Sequence, residues 1–198
     1  RITLVDVSMA NLYHRETEGW DLSLDYTVAT RAGRFSVHAA ESIILHLKNQ
    51  FSHAQPEYDA VNFPSESGAA KHKANAMLNW ESGPLMFGWS VRYFGSYKQF
   101  GAAGGPDATL SGSGSSTTTY TLRQGGDTIP SQVYHDLLVG YSFDRSSGLG
   151  AVGRLLDGLS LQLGVRNVFD KVPPLDAYYQ SNYYISPYGD VRMRSYWI

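Results

Sequence analysis

Six histidines are the first residues in this 198-residue sequence with types suited to chemistry. His38 and His46 share parity on one alternating segment, but eight positions separate them, too many to share an ion readily. His53, His72 and His135 fall near the ends of such segments. No H-x-x-x-H pair and no clustered His/Asp/Glu spacing occurs, so the plainer reading is solvated imidazoles without a metal. Ser115 and Ser116 lie in a low-complexity stretch, where a nucleophile has no positioned base. The run "GAAGG" (Gly101–Gly105) follows a strand but opens no helix, so it is not a phosphate loop. The absence of cysteine removes thiolate catalysis and disulfides. We therefore expect no active site, no enzyme activity and no cofactor. What remains is a set of binding-type residues. Asp21, Arg92 and Arg166 stand on the polar parity of their segments. Tyr178, Tyr179, Tyr183 and Tyr184 crowd into "AYYQSNYYISPY".

The elements that must position these residues alternate with period two. Trp20, Leu22, Leu24, Tyr26 and Val28 oppose Asp21, Ser23, Asp25 and Thr27. Leu85, Phe87, Trp89, Val91, Tyr93 and Tyr97 oppose Gly88, Ser90, Arg92, Ser96 and Lys98, with Met86 and Phe94 as exceptions. Leu137, Val139, Tyr141 and Phe143 oppose Asp136, Gly140, Ser142 and Asp144. Leu159, Leu161, Leu163 and Val165 oppose Ser160, Gln162, Gly164 and Arg166. Seven strands follow, at about 9–30, 34–51, 69–81, 84–100, 132–144, 158–169 and 190–198, the first divisible at the polar "HRETE". Several exceed the ~5–6 residues common in globular sheets and reach the ~9–11 needed to cross a bilayer at a tilt.

The connections alternate too. Short turns at 31–34 and 81–84 contrast with long ones at 52–68, 101–131 and 170–189, while 145–158 is intermediate. Short turns on one side and long loops on the other are the habit of outer-membrane barrels. The Gly/Ser/Thr-rich loop at 101–131 is expected to stay exposed and mobile. Period-two patterning also suits a soluble sandwich or lipocalin-like barrel with its apolar face inward. Strand length, loop asymmetry and the wealth of Tyr and Trp, which favour membrane–water interfaces, tip the balance to a membrane barrel. Glu41 resists it. It shares parity with Val37, Ile43 and Leu45, and a carboxylate facing lipid is costly. We expect a bulge near Glu41 that flips parity.

Composition bounds the rest. A net charge of −2 gives nucleic acid no electrostatic footprint. No stretch approaches eighteen consecutive apolar residues, which excludes a transmembrane helix but not barrel strands. The sequence begins at Arg1 without a signal peptide, so a processed chain or fragment is expected.

"LGVRNVFDKVPP" resembles the penultimate barrel strand of TonB-dependent outer-membrane receptors, where Gly-x-x-Asn-Leu-Phe-Asp-Lys precedes the last extracellular loop. "NLYHRETEGWDLSLDY" is similar to that family's Asn…Gly-x-Glu strand, with Asp21 in place of Glu. "NWESGPLMFGWSVRYFGSY", "IPSQVYHDLLVGYSF" and "SPYGDVRMRSYWI" resemble its Trp…Gly-Pro hairpin, the strand after a long loop, and the start of the final strand. The resemblance implies an all-β fold of antiparallel transmembrane strands. Residues 1–198 would form about the last third of a 22-stranded barrel, without its plug domain, in the outer membrane of a Gram-negative bacterium. It implies energised import of a scarce solute, an iron-siderophore or an oligosaccharide. The implied partners are the TonB complex through an N-terminal part, the plug, outer-membrane lipid and the small-molecule ligand. Asp21 would then approach the plug, Arg92 and Arg166 would face the plug or an anionic ligand, and the four tyrosines would line the mouth. Ile198 would not be the natural C-terminus. Two rivals remain: a small standalone outer-membrane barrel acting as adhesin or enzyme, and a soluble ligand-binding barrel.

Overall fold

The structure, a computed structural model, describes residues 14–66, 68–102, 104–105, 115–143, 150, 155–179, 181 and 183–198. It is a mostly antiparallel β protein. The long strands are β1 (His14–Thr30), β2 (Gly33–Gln50), β4 (His72–Ser82), β5 (Leu85–Phe94), β8 (Gln132–Ser142) and β9 (Ser160–Arg166). The short ones are β3 (Tyr58–Asp59), β6 (Tyr97–Lys98), β7 (Thr128–Ile129) and β10 (Ser195–Trp197). One sheet runs β1-β2-β4-β5-β8-β9-β10, with β3 added beside the far end of β2; β6 and β7 form a separate hairpin. The sheet is open, and among the described residues β1 and β10 do not pair with each other.

The register makes the alternation continuous. Tyr26, Val37, Leu78, Trp89, Leu137, Val165 and Tyr196 are successive cross-strand partners, one apolar row through seven strands. The adjoining row, Asp25, His38, Met77, Ser90 and Asp136, belongs to the opposite face. A one-residue slip anywhere would exchange the faces, so patterning on every strand specifies one register.

Among the described residues no second layer covers the apolar face. Trp20 is 62 % exposed and Leu163 49 %. Burial is concentrated instead at the long-loop end and on the polar side. In β8 the usual order of burial is inverted: Gln132 is 0 % exposed and Tyr134 3 %, while Val133 between them is 38 % exposed.

The bulge exists, but not where Glu41 needs it. Glu18 pairs with His46 and Gly19 with Ile44, so Leu45 is the extra residue. Gly19 permits the close approach, because a Cβ there would sit 2.5 Å from the Ile43 carbonyl oxygen. Glu41 precedes the bulge, pairs with Leu22, and stays on the apolar face. The parity change acts on the residues beyond it. It carries Leu47 and Asn49 to the polar side, where Leu47 packs with Tyr58, Ala60, Ile44, Val61 and Ala69.

Other boundaries differ from expectation. β1 runs unbroken through "HRETE", because that stretch pairs with the equally long β2; residues 9–13 lie outside the described ones. The segment expected as one strand at 84–100 leaves the sheet after Phe94 and re-forms as β6 against β7. The last strand begins at Ser195, not Asp190. Asp190 starts a turn instead. It accepts the Arg192 N–H at 2.9 Å and takes the Arg192 guanidinium on both oxygens (Nε 3.0 Å, Nη2 2.7 Å). The 101–131 loop contains helix α1 (Ser115–Gln124); residues 103, 106–114 and 144–149 lie outside the described ones. Gly125 closes α1 with φ +77°, and the Gly126 N–H donates to the Thr121 carbonyl, a Schellman stop.

Candidate functional site

The polar side chains converge where β5 and β8 leave the sheet. Phe94, the aromatic on polar parity, stacks on Tyr188 with centroids 4.8 Å apart. Tyr97 meets the same Tyr188 ring edge-on, and the Lys73 ammonium lies 5.3 Å from its centroid. The Tyr188 hydroxyl accepts the Ala70 N–H at 3.2 Å. Tyr188 thus ties the last loop to β4, β5 and β6. Sequence reasoning missed it, although Phe94 on the polar face was a signal that some apolar partner must cover it.

Beneath this stack lies a buried polar network. The Tyr97 hydroxyl donates to Asp176 Oδ2 at 2.7 Å and stands 3.0 Å from Ser186 Oγ. Gln132 Nε2 donates to the same Ser186 oxygen at 2.6 Å, and the Tyr134 hydroxyl donates to Gln132 Oε1 at 2.8 Å. Tyr97, Gln132, Asp176 and Ser186 are all buried. Burial raises the Asp176 carboxyl above its ordinary range, only partly offset by the hydrogen bonds from Tyr97 and the Tyr178 N–H. Burial likewise pushes Tyr97 up, and Tyr179 is pushed up to about 12 by burial and by the Asp176 charge. Buried polar groups joined in this way fix one arrangement of the loop, since leaving any of them unpaired costs about 1–3 kcal/mol.

The four tyrosines expected at the mouth divide into two pairs. Tyr178 stacks on Phe100 at 4.4 Å and meets Tyr120 of α1 edge-on at 5.6 Å; Tyr179 packs against Tyr178. Gln124 completes the docking of α1, with Nε2 donating to the Leu175 carbonyl and Oε1 accepting the Ala177 N–H, both at 2.9 Å. Tyr183 and Tyr184 face solvent instead, Tyr183 at 78 % exposure. Both hold the left-handed backbone, φ +55° and +59°. Such residues cost roughly 1–2 kcal/mol each, and loop contacts must hold them there.

The three charged candidates occupy the polar face. Arg92 reaches Asp136 at 3.3 Å and lies 5.7 Å over the Tyr134 ring. Asp136 also accepts the Asn167 N–H at 2.8 Å, which anchors the strand end carrying Arg166. Arg166 comes within 3.9 Å of Asp190, whose carboxyl is held at about 2, chiefly by Arg192. Asp21 lies across two strands. It shares a groove of about 430 Å³ with Lys73 and Arg92, and no ion pair involves it among the described residues. Arg166 and Asp136 flank a second hollow of about 230 Å³ under Trp197.

The histidines pair one by one: His38 with Asp25 at 2.6 Å, His46 with Asp59 at 2.8 Å, and His72 with Glu41 at 3.2 Å. His135 stacks on Trp89. Among the described residues no three His, Cys, Asp or Glu side chains are grouped to hold a metal. The arrangement suits binding by polar and aromatic side chains.

No family model, curated protein or solved structure matches this chain.

Proposed function

We propose that the chain is the C-terminal part of the barrel of a TonB-dependent outer-membrane receptor, importing a scarce solute of the iron-siderophore or oligosaccharide class. The observation that carries this reading is the inverted burial of β8, Gln132 and Tyr134 inside with Val133 out. In water each bare Leu or Val forgoes about 1.5–3 kcal/mol of burial. Against hydrocarbon that penalty vanishes, and the polar side becomes the lumen wall. The resemblance of five segments, in family order, supplies the particular receptor class. A soluble ligand-binding barrel would pack Leu22, Leu24, Leu161 and Leu163 into its interior; here all four are exposed.

In this reading β1 and β10 meet further strands of the same polypeptide, because unpaired strand edges in lipid cost several kcal/mol per group. Asp21, Arg92 and Arg166 face the plug and the solute path. Tyr183 and Tyr184 meet ligand at the mouth, while Tyr178 and Tyr179 order the loops behind them. The TonB complex acts through the N-terminal part. The reaction is transport, with no bond made. Deleting the gene in its host should abolish growth on one iron or carbon source, and disabling TonB should abolish the same growth. Unimpaired growth on every candidate source, or uptake indifferent to TonB, would contradict the proposal.

A further inference from the structure

The hollow under Trp197 joins apolar side chains to neutral polar ones on the polar face. Asn79, Gly88, Leu138, Gly164 and Trp197 are successive cross-strand partners in one row, and Met77, Ser90 and Asp136 form the row beside it. Two glycines in the first row keep the sheet low there, and the Trp197 indole takes the place a Gly164 side chain would fill. Met77, Leu138 and Trp197 thus border the hollow of about 230 Å³ from the polar side, with Met77 42 % and Trp197 46 % exposed. The charges at its rim are engaged elsewhere. Asp136 holds Arg92 at 3.3 Å and the Asn167 N–H at 2.8 Å, and Arg166 turns to Asp190. The neutral groups are not engaged. Ser90 Oγ has no hydrogen-bond partner among the described residues, and the Asn79 amide has only the Met77 sulfur at 3.3 Å, a weak acceptor.

We propose, resting on the receptor reading above, that this hollow binds one pyranose ring of a neutral oligosaccharide, so that the imported solute is a saccharide. The C–H face of the ring packs on the Trp197 indole, with Met77 and Leu138 beside it. Its hydroxyls donate to Asn79 Oδ1 and exchange a hydrogen bond with Ser90 Oγ. A concave site with an apolar wall and a few neutral polar groups suits a solute that is apolar on its face and polar at its edge. A hydroxyl both donates and accepts, so it can meet both of the idle groups. A flat aromatic ring would leave them unpaired. A charged ferric complex would find no idle counter-charge at the rim, and the hollow has room for one ring.

The test is calorimetric titration of the full-length protein in detergent with neutral trisaccharides of glucose, galactose, mannose and xylose, and with a ferric catecholate and ferric citrate. We expect at least one trisaccharide to bind and neither ferric complex to do so. Trp197→Ala should weaken the bound sugar roughly tenfold, the worth of one aromatic contact. Ser90→Val, a residue suited to a strand, removes the hydroxyl and crowds the hollow, and should abolish binding. Absence of binding by all four trisaccharides, or an affinity unchanged in both variants, would overturn the proposal. Failure of the site and failure of the receptor reading are separable. A protein that binds a ferric complex, undisturbed by Ser90→Val, sinks the sugar site and leaves the receptor reading standing. A protein that binds no solute, and whose deletion costs its host no TonB-dependent growth, sinks both.

Discussion

In β9 two neighbouring positions on opposite faces have opposite fates, although Ser160, Gln162 and Arg166 of the polar face are exposed as well. Leu161 and Leu163 stand bare, while Gly164 lies under the indole of Trp197, where a Cβ would fall 2.0 Å from the ring. The contrast repeats across the sheet. Loops fold over the polar side at three places: around Leu47, at Tyr188 on Phe94, and at Ser186 on Gln132. The bulge at Leu45 obeys the same preference, since it brings Leu47 round to the side where β3 packs. In the proposed reading, a polar face that gathers its own loops while most of the apolar face stays open is what a barrel wall against lipid would require; Phe169 on His135 is the exception at the loop end.

The largest expected effect comes from placing charge on the bare face. Leu163→Arg should lower the stability of the membrane-inserted protein by about 2–4 kcal/mol, while Gln162→Arg on the other face changes it little. Urea unfolding from lipid vesicles would measure both. Equal costs at the two positions would erase the difference between the faces.

Next comes Gly164→Leu. The side chain would collide with Trp197 and expel β10 from the sheet edge, at about 1–3 kcal/mol. Protease sensitivity of the 190–198 segment should rise. Leu163→Val, at the neighbouring bare position, should leave it unchanged.

Two carboxylates in the last loop sharpen the polar side by opposite pH responses. Asp176 is raised by burial, so its contribution to loop stability is full below the ordinary carboxylate value of 3.8 and falls as pH rises through its higher folded value. Asp190 is held at about 2, so its contribution is present above 3.8 and is lost as pH falls through 2. Asp176→Asn keeps an acceptor for Tyr97 and removes the charge. We expect it to slow proteolysis of the 175–188 loop at neutral pH and to flatten the rise of cleavage with pH. Cleavage as pH-dependent as in the wild type would show that Asp176 does not govern the loop.

The smallest effect concerns the two acidic residues of β1. Asp25→Asn breaks an exposed pair with His38, worth about 0.2–1 kcal/mol, and should leave transport intact. Asp21→Asn should slow transport more, because Asp21 shares its groove with Lys73 and Arg92. Identical transport by both variants and the wild type would leave Asp21 a solvated carboxylate.

The strands were legible because period two records which face each residue occupies, and the six long strands all lie where alternation placed them. The loops were not. Helix α1 is built from "SSTTTYTLRQ", residues with modest helix propensity, and its docking depends on Phe100 and Tyr178 from distant parts of the chain. The buried network of Tyr97, Asp176 and Ser186 joins positions 79 and 89 residues apart, beyond any local pattern. The charged residues on the polar face were legible by parity, but their partners were not, because register alone decides that Arg92 reaches Asp136. Glu41 was legible as an anomaly. Its partner, His72, sits on a strand that sequence alone could not align with β2.

Spin-label accessibility along β9 tests the orientation of the sheet most directly. Nitroxides attached to single cysteines at 160 through 166, a segment with no native thiol, would be read in lipid vesicles against oxygen and against a water-soluble nickel complex. We expect period two, with high oxygen accessibility at 161, 163 and 165 and the nickel complex favoured at 160 and 162. The opposite phase, or oxygen accessibility without alternation, would contradict a lipid-facing apolar side.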